Sequence, residues 1–197
     1  MKLLLLLLAL PILFGCDNGN DKRDDNGNVN IPDAIFKGYL IRNSAINING
    51  DLEIQAREAR SFKGKMNCSA QSISDLTGIQ AFTALTELDC HSNQLTSLDV
   101  SKNSALTWLI CMSNQLTSLD VSKNTALTYL LCGDNQLTSL DVSKNTALTD
   151  LYCMNNKLTS LDVSKNIALT DLHCDNNKFD CDALKNMVLI NLISNHE

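Results

Sequence analysis

The sequence predicts a predominantly β solenoid: stacked coils with short parallel strands, closed at the N-terminal side by a small helical cap. Three observations carry this expectation. First, a 21-residue unit recurs almost letter for letter from Leu85 to Asn177, as in LTWLICMSNQLTSLDVSKNTA followed by LTYLLCGDNQLTSLDVSKNTA, and such self-similarity marks a stacked-repeat architecture. Second, Leu88 and Cys90 alternate with Glu87, Asp89 and His91, so one side of a short strand is apolar and the other is exposed. Third, neither half of the unit has the length or the 3.6-residue period of a helix.

A unit this small cannot bury its own apolar side, so neighbours must stack at roughly 4.8 Å per coil to make a core. Leu85, Leu88, Cys90, Asn93 and Leu95 fill the pattern Leu-x-x-Leu-x-Leu-x-x-Asn-x-Leu, with cysteine in the third apolar slot. The chain thereby resembles the leucine-rich repeat family. Asn93, Asn114, Asn135, Asn156 and Asn177 then form a column whose side-chain amides can satisfy backbone groups where each coil bends. The second half of the unit fits the same pattern through Leu95, Leu98, Val100 and Asn103, with Leu106 one residue beyond the last slot. Strand-like structure is therefore expected on both long faces.

Taken in order, residues 1–15 have the layout of a secretion signal: one lysine, a short apolar run and a small residue before Cys16. Leu13-Phe14-Gly15-Cys16 resembles the lipobox of bacterial lipoproteins, which implies that Cys16 carries the lipid and that the protein is anchored to a membrane rather than spanning it. Residues 16–30 are expected to be a flexible tether. Its Lys22-Arg23-Asp24-Asp25 run is similar to the charged signals of surface-exposed lipoproteins of the Bacteroidetes group. The resemblance implies an outer-membrane, cell-surface location, with a periplasm-facing anchor as the alternative.

Residues 31–65 read as the cap that an open solenoid end requires. Pro32 and Asp33 can start a helix carrying Ile35, Phe36, Tyr39 and Leu40 on one side, and a second helix is expected from about Leu52 to Phe62. Between them, Asn47, Asn49, Asp51, Glu53, Gln55 and Glu58 resemble the ligand positions of a calcium-binding EF-hand loop. Leu52 occupies the position where that family has its turn glycine, so a metal-free cap is expected, with a weak calcium site as the alternative. Internalins, a bacterial leucine-rich family, carry a similar degenerate cap, and the whole chain is internalin-like in that sense.

The repeats occupy residues 66–178, with a diverged first coil at residues 66–84, and residues 179–197 close the far end through Leu184, Met187, Val188, Ile190 and Leu192. Of the eight cysteines, Cys90, Cys111, Cys132, Cys153 and Cys174 form an inward column preceded by Cys68. A buried thiol column is expected there; Cys174 with Cys181 is the more plausible bridge, and whether it forms is left open.

A net charge of -6 and the lack of a basic stripe argue against nucleic acid as a partner. Catalysis is not expected, because the three histidines, His91, His173 and His196, pair with no nucleophile motif. No cofactor or metal is expected. Asp99, Asp120, Asp141 and Asp162 stack as an outward column beside lysines, a solvated face rather than a cation site.

Variation between the units points to function. LTSLDVSKN hardly changes, whereas the outward positions of the first half-unit change freely. Trp108, Ile110, Met112, Tyr129, Leu131, Tyr152 and Met154 gather in the middle coils, and Asp150 and Asp171 stand on the rim with Glu87, Asp89 and Asp175. An apolar area with a charged rim is the anatomy of a recognition surface. The expected partner is a protein, of host or microbial origin, in adhesion or recognition. A glycan stacked on Trp108, Tyr129 and Tyr152, or a structural surface without a ligand, are the alternatives.

Overall fold

The computed structural model describes residues 27–185. The signal segment, Cys16, the run from Lys22 to Asp25, His196 and the apolar positions from Met187 to Leu192 lie outside the described residues. Helix α1 (Ala34–Arg42) and helix α2 (Ala56–Ser61) precede strands β1 (Gly64–Asn67), β2 (Leu85–Asp89), β3 (Trp108–Ile110), β4 (Tyr129–Leu131), β5 (Asp150–Tyr152) and β6 (Asp171–His173). The six strands pair in sequence order as one parallel sheet. The register advances by one repeat per strand, so Leu88, Leu109, Leu130, Leu151 and Leu172 stack inward as a column.

Only the first half of each coil is strand, which corrects the expectation of strand on both faces. In LTSLDVSKN the backbone closes on itself instead: Asn124 N–H donates to the Val121 carbonyl and Leu127 N–H to the Asn124 carbonyl, at 2.9 and 3.1 Å. Asp99, Asp120, Asp141 and Asp162 each accept the N–H of the serine two residues on, at 2.8–2.9 Å. Leu98 and Val100 are still buried, so the alternating pattern reports which side chains face inward and not the strand itself. The aspartate column is thereby a row of turns, each carboxylate occupied by its own coil.

Two asparagine ladders hold the bends. In the first, Asn135 donates to the carbonyls of Cys111 and Cys132 at 3.0 and 3.1 Å and accepts the Leu116 N–H at 2.9 Å. The second runs through Asn103, Asn124, Asn145 and Asn166; Asn124, for example, donates to the carbonyls of Val100 and Asn103 in the preceding coil. Between the ladders lies the cysteine column. Cys68, Cys90, Cys111, Cys132 and Cys153 are buried free thiols, and burial pushes Cys111 up to about 12. They pack as small apolar side chains. Cys174 and Cys181 form a disulfide, with Cα atoms 5.6 Å apart, which pins the turn after the last strand.

At the cap, Phe36 and Leu40 are fully buried and Tyr39 is half-buried, but Ile35 faces solvent. The second helix begins four residues later than expected. The Glu58 carboxylate accepts the N–H groups of Ile48, Asn49 and Gln55, which holds 48–54 as a loop and starts the helix after Gln55. Residues 27–30 are no tether: Asn28 bridges Gln55, Val29 N–H donates to the Ile54 carbonyl at 2.8 Å, and Val29 is buried. Val29 and Ile31 supply the apolar surface that a solvated tether would lack. Strand β1 straddles the expected boundary at residue 65 and opens the sheet. Asp33 locks cap to solenoid: one oxygen caps α1 at Ile35 and Phe36, and the other accepts from Ser74 N–H, Ser74 Oγ and Asp75 N–H.

Candidate recognition surface

Alternation along β3, β4 and β5 turns Trp108 and Ile110, Tyr129 and Leu131, and Asp150 and Tyr152 away from the leucine column. Trp108 and Tyr129 are register partners, and their rings stack at 4.5 Å and 23°. The partner of Tyr129 on β5 is Asp150, so the aromatic line steps diagonally to Tyr152, with ring centroids 6.0 Å apart. From there it continues in register to His173, stacked at 4.4 Å and 18°. Four rings thus run along four consecutive coils. His173 is the member that sequence reasoning set apart; its place in the column of Tyr152 was the available signal.

Just past the strands, Met154 reaches over Gly133, where an added Cβ would approach its Sδ to 2.8 Å. The missing side chain at Gly133 makes room for the methionine. Met112 and Met154 are half-buried beside the strip, as are Ile110 and Leu131, so these predicted site residues share one face. Trp108 is the most open of them at 42%.

The rim is less free than its charges imply. Asp171 accepts from the Tyr152 hydroxyl at 2.5 Å and pairs with His173 Nε2 at 3.1 Å. Asp150 accepts from Thr149 Oγ1, Asp175 pairs with Lys185, and Glu87 lies 3.5 Å from Lys65. Asp89, expected on the open rim, is buried beneath His91, whose Nδ1 lies 2.6 Å away. The hydrogen bond to Asp171 pushes the Tyr152 phenol up to about 12, with desolvation and nearby carboxylates adding to it. Asp171→Asn is therefore expected to return the Tyr152 phenol towards the ordinary tyrosine range, seen as an earlier phenolate absorbance rise on alkaline titration.

Among the described residues no group of three or more histidine, cysteine or acidic side chains is arranged to hold a metal ion. In the loop from Asn47 to Glu58, amide nitrogens of Asn49 and Gln55 lie 2.7 and 2.9 Å from Asp51 Oδ2. Neutral donors thus occupy the carboxylate that a calcium ion would need. Among the described residues no helix is long and apolar enough to cross a membrane.

No family model and no curated protein matches the chain. Solved structures do. The functional domain of InlJ from Listeria monocytogenes, described as including a cysteine ladder, is 35% identical over 76% of this chain and 43% of that one, with a TM-score of 0.55. An internalin of the same species, InlF, is 23% identical over 76% of this chain and 45% of its own, with a TM-score of 0.66. A leucine-rich repeat protein of Leptospira interrogans is 20% identical over 66% of this chain and 36% of that one, at 0.58. The last two show the fold alone, and the chain spans less than half the length of each of these structures. Fold and comparisons define a leucine-rich repeat solenoid. Within that class the chain is internalin-like, with 21-residue coils and a small helical cap.

Proposed function

We propose that this is a non-catalytic recognition protein that binds a protein partner through its variable strand face, in adhesion or molecular recognition. The observation that carries the reading is the line of Trp108, Tyr129, Tyr152 and His173, two stacked pairs in sequence, on the outer side of the sheet. Rings held by their neighbours lose little conformational freedom on binding, and aromatic side chains supply much of the affinity at protein interfaces. Stacking along the solenoid axis also bears on the ligand class. The ring of Trp108 stacks on one face of Tyr129 and the ring of His173 on one face of Tyr152, whereas sugar stacking needs an open face. This favours a protein over a glycan.

The reading includes a lipid anchor at Cys16 in the outer membrane, with the body at the cell surface. The signal layout of residues 1–15 and the resemblance of Leu13 to Cys16 to a lipobox support it. Double replacement Trp108→Ala with Tyr129→Ala is expected to abolish capture of the protein partner while leaving the circular dichroism spectrum and melting unchanged. Loss of carbohydrate-array signal, with protein capture retained, would instead assign the face to a glycan.

A further inference from the structure

Away from the strand face, the most exposed large apolar side chains of the cap are Ile48 at 68% and Leu52 at 75%. Both lie on one loop, and the loop is built rigidly around them. The Glu58 carboxylate holds the N–H of Ile48, Asp51 accepts the N–H of Glu53, and Asn47 donates to the carbonyls of Ile41 and Asp51. Buried Ile46 and Ile54 fix the two roots of the loop.

The position of the loop says what it meets. Ala56 N–H donates to the Gly27 carbonyl, Asn28 bridges Gln55 and Val29 donates to Ile54, so Gly27 lies beside the C-terminal root of the loop. Cys16 lies 11 residues before Gly27, no more than about 40 Å away even if fully extended. Charge is divided along the same axis. Residues 31–65 hold 6 basic and 4 acidic side chains, whereas residues 66–178 hold 6 basic and 11 acidic. Arg57 and Arg60, on the helix that follows the loop, are exposed.

We propose that this loop is a membrane-contact site: Ile48 and Leu52 enter the interfacial layer of an anionic lipid surface, and the basic cap faces the headgroups. Two aliphatic side chains bind too weakly to hold a protein by themselves; beside a lipid anchor, which keeps them at the surface, they set orientation. The acidic repeats then stand away from the membrane with the strand face open. This inference rests on the lipid anchor of the proposed function.

The test uses full-length lipidated protein in vesicles of phosphatidylglycerol and phosphatidylcholine, with Trp108→Phe removing the native indole and Leu52→Trp placing one on the loop. A matched protein carries Ile167→Trp instead, at a repeat position that is 74% exposed. Lipids spin-labelled near the headgroup are expected to quench the loop indole and shift its emission to the blue, with loss of that quenching when Ile48→Asp is added. The indole at position 167 is expected to keep its emission. Cys16 acylated by mass spectrometry with an unquenched loop indole, or with equal quenching at both positions, overturns the membrane contact alone. Unacylated Cys16 overturns the anchor and the contact together.

Discussion

Asn135→Ala is expected to cost about 3–5 kcal/mol of folding stability, measured as a lower midpoint in chemical denaturation. The side chain is buried at 8% exposure. It donates to three carbonyls, of Cys111, Cys132 and Gly133, and accepts the N–H of Leu116. Alanine removes all four bonds and leaves the partners in a region that water does not reach. Asn135→Asp should cost nearly as much, since a carboxylate accepts but cannot donate. Asn177, at the end of the same ladder and only part-buried, gives the contrast. Its replacement is expected to shift the midpoint less, because solvent can satisfy the carbonyls of the terminal coil.

Asp33→Ala is expected to cost about 2–3 kcal/mol through loss of a helix N-cap and of the contact between cap and first coil. Burial alone would raise this carboxyl, but the N–H groups of Phe36, Ser74 and Asp75 and the Ser74 hydroxyl hold it below its usual value. Asp99 and Asp120 are likewise lowered overall, each by its serine two residues on, with burial opposing at Asp99. A folded pKa below the unfolded value gives stability that is present above about pH 4 and is lost as pH falls through the folded pKa. The wild-type melting temperature should therefore decline on acidification below that point. The Asp33→Ala variant should start lower at neutral pH and decline less.

How far the residues announced this structure depends on how local the cause is. The inward columns were legible because alternation along one strand and repetition between strands fix the same side chains. Cys174 with Cys181 was legible only as the more plausible bridge, since the repeat pattern ends between them and the chain can turn there; that the bond forms depends on how that turn packs, which the residues left open. LTSLDVSKN misled, because Leu98 and Val100 alternate like strand residues while Asp99 closes a turn through the Ser101 N–H. Pattern reports burial, and the turn rests on a single carboxylate. The docking of Val29 and the bond from Ser74 to Asp33 join segments up to 41 residues apart, and no local pattern encodes them. At the recognition face, the column membership of Trp108 and Tyr129 was readable. The step to the neighbouring column at Tyr152 was readable as well, but the approach of its ring to Tyr129 and the capture of its hydroxyl by Asp171 depend on side-chain rotation, which a repeat alignment does not carry.

The strand face, not the constant LTSLDVSKN face, is expected to meet the partner. Oxidative footprinting of the purified chain with and without its captured protein partner tests this most directly. Trp108, Met112, Tyr129, Tyr152 and Met154 are expected to be protected in the complex, while Ile167 is oxidised equally in both states. Unchanged oxidation across the aromatic line, with protection moved to the Ser-Lys face, would contradict it.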